Sequence, residues 1–300
     1  MPLKKIDLKD KPLFDSFLEQ EKSENSACSF ANIFIWKNLF DIYKYEFGGS
    51  LLVFFEDRSG CFLYLPPLGP GDKTSAAMEA FRIMDERNGK TSTASRIENI
   101  PAGTSGSYTA MGLGCTEVSC DYLCLRDSIA GYKGDKFKHK RSAKNHFEKN
   151  YKFDYLSFSE KDAKECISLY DLWAVERSKK TTDRTYRSFL EDNRTALSAL
   201  LDNYGRLGIE GRVVKIGGLI RAFTFGYKVS DEVFAVLYEI ADLSFKGITQ
   251  YIFSRFASEL SYKYLNIMSD SGLANLRKVK LSFHPERTVP IYIAVKRLGN

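Results

Sequence analysis

The stretch Val233-Phe-Ala-Val-Leu-Tyr-Glu-Ile240, followed by Ala241-Asp-Leu-Ser-Phe-Lys-Gly247 and Ile248-Thr-Gln250, decides the fold. The first eight residues are almost continuously apolar, the pattern of a central strand covered on both faces. The chain then turns through Lys246-Gly247. Ile248, Ile252, Phe256 and Leu260 recur at helical spacing, so a helix is expected from Gly247 to about Lys263. Upstream, Val213–Ile216 and Leu219–Phe225 flank Gly217-Gly218, a two-residue hairpin turn that needs positive φ at both positions. Farther upstream, Ser159-Glu-Lys-Asp162 reads as a capping box. It opens a helix carrying Ala163, Cys166, Ile167, Tyr170, Trp173 and Ala174 on helical spacing, and a second helix covers Tyr186 to about Asn203. Downstream, Tyr264–Met268 reads as a strand, Leu273 to Lys280 as a short helix and Val289 to Lys296 as a last strand.

That order of helices, hairpin, buried strand, helix, strand, helix and strand resembles the GNAT (acyl-CoA N-acyltransferase) fold. The N-terminal half repeats it. Helical segments near Leu8–Lys22 and Phe30–Asn38 precede strands Ile42–Phe47 and Leu51–Phe55, joined by Gly48-Gly49. Cys61–Leu65 reads as a third strand, Ala76–Asn88 as a helix and Val118–Leu125 as a late strand. The expected class is therefore α+β or α/β, with two GNAT-like domains, each a mixed central sheet flanked by helices. Residues 1–130 form the first, 153–300 the second, and 131–152 a basic connecting helix. Phe137, Lys140, Lys144, Phe147 and Tyr151 share one face of that helix, so it is read as docked.

Three hundred residues suffice for two cores, and the 44% hydrophobic and 27% charged fractions are those of a globular chain. No apolar run is long enough to span a membrane as a helix, and no apolar stretch follows the first lysines as in a signal peptide. A cytoplasmic location is the expectation, with attachment at the membrane surface as a variant of it. Cys28, Cys61 and Cys166 are isolated, and Cys115, Cys120 and Cys124 lack the spacing of a zinc site. No metal is expected. The net charge of +6 is concentrated: Lys133 to Lys152 holds eight Lys or Arg against Asp135 and Glu148.

Two places could carry chemistry. At the strand-to-helix turn, backbone N–H groups beside a glycine suit a phosphate, and Lys246 adds charge. In a GNAT fold this turn holds the pyrophosphate of acyl-CoA, which makes Ser244, Lys246, Gly247, Ile248 and Thr249 the candidate donor site and CoA or acyl-CoA a candidate co-substrate, with no covalently bound cofactor. The GNAT pattern Arg/Gln-x-x-Gly-x-Gly/Ala is reduced here to Ser244-Phe-Lys-Gly247-Ile-Thr249, and a plain turn explains Gly247 equally. Gly247→Asp is expected to abolish donor binding with the fold intact. The corresponding N-terminal turn, Leu65-Pro-Pro-Leu-Gly-Pro-Gly71, has three prolines without N–H donors, which points to the C-terminal half. Glu239, near the end of the buried strand, is the candidate general base, its pKa raised by burial; the alternative is a carboxylate paired with a nearby Lys or Arg, and Asp242 has the same two readings. Asn266 and Asp270 line an acceptor pocket or form a turn. The second place is the basic helix, where Lys136, Lys140, Arg141 and Lys144 suit RNA or an anionic lipid head group, or simply a solvated face. His139, His146 and His284 form no recognisable catalytic arrangement.

Several strings together resemble one bacterial family: Phe30-Ala-Asn-Ile-Phe-Ile-Trp36, His139-Lys-Arg141 with Phe147, Gly218-x3-Ala222-Phe223-x2-Gly226, Lys246-Gly-Ile-x-Gln250 and Leu276-Arg-Lys-Val-Lys-Leu-Ser-Phe-x-Pro285. It is the family classed with the C-terminal domain of phosphatidylglycerol lysyltransferases (the DUF2156 group). The resemblance implies a tandem GNAT-like fold related to Fem-type peptidyltransferases. It also implies transfer of an acyl or aminoacyl group, from acyl-CoA or aminoacyl-tRNA, to an amine or hydroxyl. Ser142 and the pair Met268-Ser269 depart from the family's usual Asn and acidic residues. The rival expectation is a non-catalytic module on a degenerate GNAT fold, binding RNA or an anionic membrane but not DNA, or serving protein interaction.

Overall fold

The computed structural model describes residues 3–89, 92–179 and 183–297. The chain divides into two compact units: Met1–Asp121 with Ser269–Ala274 and Thr288–Asn300, and Tyr122–Met268 with Asn275–Arg287.

In the first unit the strands run in the order Lys4–Lys5, Asp41–Phe47, Ser50–Asp57, Gly60–Leu63, Arg96–Pro101 and Arg287–Lys296. Neighbours are antiparallel except Gly60–Leu63 beside Arg96–Pro101, which is parallel. Gly48 and Gly49 take φ of 54° and 81° and close the first hairpin as the sequence predicts. The helix Lys73–Asn88 starts on Asp72, whose side chain accepts from the N–H groups of Thr74 and Ser75. The strand Arg96–Pro101 and helix Ala102–Ala110 escape the sequence reading, because Ala102-Gly-Thr-Ser-Gly-Ser107 looks like a loop.

In the second unit the order is Tyr264–Ser269, Val233–Ala241, Leu219–Lys228, Ile209–Ile216 and Asp154–Ser157, parallel between the first two and antiparallel thereafter. The Ser159–Asp162 capping box forms as read. Gly217 and Gly218, at φ 59° and 80°, turn the hairpin. Val233–Ala241 is buried along nearly all its length. Its register against Leu219–Lys228 shifts between Val236 and Tyr238, a bulge in the middle of the sheet.

These units do not follow the chain-order boundaries at 130 and 153. The last strand sits in the first unit because it pairs with Arg96–Pro101, Ile291 opposite Pro101 and Val295 opposite Arg96. The basic helix, Lys138–Asn150, belongs to the second unit. Its Phe147 is fully buried in a cluster with Val214, Ala222, Ala241, Ile248, Tyr251 and Ile252. Ring centroids of Phe147 lie 4.8 Å from Phe153 and 5.2 Å from Tyr251. Burying one such side chain contributes about 1.5–3 kcal/mol, so the helix is docked.

Gly226 shows how tightly the second sheet is packed. A Cβ there would overlap the Phe234 ring and the Ala235 carbonyl. Gly226→Ala is expected to destabilise the protein by about 1–3 kcal/mol through overpacking, read as a lower urea midpoint at unchanged m.

Candidate active site

Successive residues of a strand face opposite ways. The Tyr238 hydroxyl donates to the Asn193 carbonyl at 2.9 Å on one face of the sheet. Glu239 therefore points to the other, where the basic helix lies. Glu239 is half-buried. No hydrogen bond or ion pair reaches its carboxyl among the described residues, so the paired-carboxylate reading fails at this position. Burial pushes its pKa up to about 8, against the opposing pull of the Lys140 and Lys280 charges.

Lys140 comes from the basic helix. Its ammonium donates to Ser282 Oγ at 2.9 Å and lies 3.6 Å from the Phe283 ring centroid. Burial lowers its pKa, while the charges of Glu239 and Cys124 raise it. Lys280, on the helix Ala274–Leu281, donates to the Ile267 carbonyl. Tyr132 follows the helix Arg126–Gly131 in a left-handed conformation, φ 43°. Its side chain is fully buried and its hydroxyl has no hydrogen-bond partner. Burial, then the charges of Glu239 and Cys124, hold that hydroxyl well above the usual phenol range. Cys124 is a buried thiol, 3.9 Å from the Phe283 carbonyl, with its pKa raised to about 12 by burial.

Two residues singled out separately in the sequence, Glu239 and Lys140, thus meet in one place. Tyr132, Lys280 and Ser282 join them unforeseen. The signal for the last two lay in the string Leu276–Pro285; nothing in the local pattern marks Tyr132. Arg141 has a structural task, donating to the carbonyls of Tyr132 and Gly134 and so holding the loop that presents Tyr132. Lys136 is exposed, with its ammonium 5.4 Å from the Phe137 ring, and Lys144 is half-buried. Asn266 is buried and accepts from the Met268 N–H at 2.7 Å; Asp270, in the other unit, accepts from the Gly272 N–H at 2.9 Å. Each of these two shapes its own turn.

The turn at Gly247 is built differently from a bare cradle. Ser244 spends both its N–H, at 3.0 Å, and its hydroxyl, at 2.6 Å, on Asp242 Oδ1. Asp242 also pairs with Arg221 at 3.2 Å. Gly247 has φ 91°, and a Cβ on it would lie 2.7 Å from the Ala143 carbonyl carbon and closer still to its oxygen. This corrects the expectation for Gly247→Asp: the substitution disrupts the docking of the basic helix, so it cannot separate ligand binding from folding. Lys246 is exposed, Thr249 is half-buried, and Ile248 is buried in the core. In the N-terminal turn the Gly69 N–H goes to Glu21 Oε1 at 2.7 Å.

Among the described residues no group of three His, Cys, Asp or Glu could hold a metal ion, and no helix is long and apolar enough to cross a membrane.

The architecture is that of the tandem GNAT proteins. One such protein, from the clavulanic acid biosynthesis pathway, matches with a TM-score of 0.50 at 10% identity, covering 100% of this chain and 99% of that one. The chain belongs to the family described as phosphatidylglycerol lysyltransferase, C-terminal, whose model matches residues 18–295. A conserved protein of unknown function from Bacteroides thetaiotaomicron VPI-5482 is 27% identical, with a TM-score of 0.87 over 98% of this chain and 99% of that one. The structure of L-PGS from Bacillus licheniformis is 16% identical, with a TM-score of 0.67 over 98% and 94%. No curated protein sequence matches the chain.

The raised pKa of Glu239 makes a signed prediction. The folded state keeps this proton to higher pH than the unfolded state, so its burial costs nothing at low pH. The cost grows as pH rises from the normal carboxyl range toward about 8, at up to ~1.4 kcal/mol per pH unit. Glu239→Gln is expected to be more stable than the parent at alkaline pH and equal to it in acid. Urea unfolding of both proteins across that range checks this; a difference independent of pH excludes a strained carboxyl.

Proposed function

We propose that this protein is an aminoacyltransferase, moving an aminoacyl group from aminoacyl-tRNA to an amine or hydroxyl acceptor, with the chemistry at Glu239. The observation that carries the reading is the gathering of the family-like strings 139–141 and 276–285 around one unpaired carboxyl. A pKa of about 8 suits a base that must take and return a proton near neutral pH. In this reading the Glu239 carboxylate takes the proton from the acceptor nitrogen or oxygen as that atom bonds to the ester carbonyl carbon. The Lys140 ammonium stabilises the negative charge developing on the carbonyl oxygen. The ester bond then breaks, and the departing ribose oxygen recovers the proton from Glu239. Exposed Lys136, Lys138 and Lys149, with Lys144, supply phosphate contacts for the tRNA. A phosphatidylglycerol head group, which the family description names, is the first acceptor to try.

An acyl-CoA donor is the second reading, favoured by the 12-residue helix that opens at Gly247 with Lys246 exposed beside it. Against it stands Asp242, whose negative charge already occupies the Ser244 donors.

Thermal unfolding separates the two. A ligand at 100 times its Kd stabilises by about 2.7 kcal/mol, which is about 5–10 °C for a unit of this size. The expected result is a shift with aminoacyl-tRNA that shrinks steeply with salt, and none with acetyl-CoA. A shift with acetyl-CoA alone would transfer the assignment to the second reading. In a transfer assay from labelled aminoacyl-tRNA, Glu239→Ala is expected to lose about 10²–10⁴-fold in rate with tRNA affinity retained.

A further inference from the structure

The strands Val233–Ala241 and Tyr264–Ser269 are parallel neighbours, so both finish at the same edge of the second unit's sheet. The turn through Asp242 and Gly247 leaves the first of them, and the helix Ala274–Leu281 follows the second. That helix stays close to the edge, because the Lys280 ammonium donates to the Ile267 carbonyl. The residues after it are held by the basic helix. Lys140 reaches Ser282 Oγ, and His284 Nε2 lies 3.2 Å from the Lys136 carbonyl.

The helix Ala274–Leu281 buries none of its residues. Its Val279 and Leu281 are 53% and 48% exposed, and Leu243, on the turn at the same edge, is 54% exposed. The charges beside these three aliphatic side chains are of one sign. Residues 271–285 include Arg277, Lys278 and Lys280 and no acid, and Lys246 is exposed three positions after Leu243. Asp242, next to Leu243, is paired with Arg221. Among the described residues Lys246, Arg277 and Lys278 form no ion pair.

Exposed aliphatic side chains set among unpaired cations fit the boundary of an anionic bilayer. There the aliphatic groups enter the rim of the acyl layer, and ammonium and guanidinium groups meet lipid phosphates. RNA would use the same cations but leaves the aliphatic groups idle, since it is read by hydrogen bonds and by stacking on aromatic rings or guanidinium planes. That difference favours the bilayer.

We propose that this edge of the second unit docks on the surface of an anionic bilayer. Leu243, Val279 and Leu281 enter the head-group boundary, and Lys246, Arg277 and Lys278 contact lipid phosphates. The inference goes beyond aminoacyl transfer and does not require it, because attachment is measured with no donor present. The lysines assigned to tRNA lie on the basic helix, outside these six residues.

The test is flotation of the full chain with three kinds of vesicle: phosphatidylcholine alone, and phosphatidylcholine with an equal part of phosphatidylglycerol or of phosphatidylserine. Binding is expected to both anionic mixtures and not to phosphatidylcholine alone, and it weakens as salt rises. Arg277→Glu with Lys278→Glu should lower the affinity at least about tenfold. Val279→Ser with Leu281→Ser should lower it about five- to tenfold, with the salt dependence unchanged. Leu243→Ser, on a separate segment, should act in the same direction independently of the helix. All five positions are exposed, so melting temperatures are expected to equal the parent's. Binding to no vesicle, equal binding to neutral and anionic vesicles, or undiminished binding of the serine variants overturns the proposal. Loss of tRNA affinity in the glutamate pair with vesicle binding unchanged assigns the face to RNA. A parent dimer in sedimentation velocity that the serine pair dissolves makes it a self-interface. Either result overturns bilayer docking and leaves the transfer reading at Glu239 standing.

Discussion

The close approach of the basic helix to the strand-to-helix turn is the constraint on which the second unit depends. The Ala143 carbonyl occupies the space that a side chain at position 247 would need. Only glycine permits this, and only glycine adopts φ 91° there without strain. With the helix seated, Phe147 fills the core and Lys140, two turns earlier on the same face, is carried to Glu239. A feature that reads in sequence as a phosphate cradle thus serves first as a packing joint.

The electrostatics of the site follow from that docking. A carboxyl between two lysines would ordinarily be held ionised. Here burial outweighs both charges and keeps Glu239 protonated up to about pH 8. The balance turns on solvation, since losing water costs an ion more than a partner at modest distance returns. Lys140 meets the same penalty in the opposite sense, and the Phe283 ring face beneath it replaces part of the lost hydration. The site therefore holds a base and a cation that both lie closer to neutrality than their types suggest.

The two units carry similar signals and differ at the turn after the third strand. In the first unit, Pro66, Pro67 and Pro70 remove donors and Glu21 takes the Gly69 N–H and the Lys73 ammonium. An acidic side chain locking that loop makes it unsuited to an anion. The second unit also places an acid, Asp242, at its turn, but it adds a half-buried carboxyl without a partner and an unpartnered phenol, which the first unit's loop does not offer.

Most elements of the second unit, and their order, are legible in the amino-acid sequence, although the strand Asp154–Ser157 and the helix Arg126–Gly131 are not. Both Gly-Gly hairpins, the Ser159–Asp162 capping box, the buried strand and the amphipathic helices are local patterns, and local patterns are written in neighbouring residues. It also marked Glu239 and Lys140, each for a reason confined to its own segment. The strand Arg96–Pro101 was not legible because its burial comes from tertiary neighbours, and the mostly exposed helix after it, in which only Tyr108 is buried, was not because its glycines and serines read as a loop. Tertiary structure alone decided that the last strand joins the first unit, that Gly247 is a joint, and that Tyr132, Lys140 and Lys280 surround Glu239. Those residues are separated by up to 148 positions of chain. Their shared chemistry arises from distance and desolvation, and neither quantity is a property of a residue or of its neighbours in sequence.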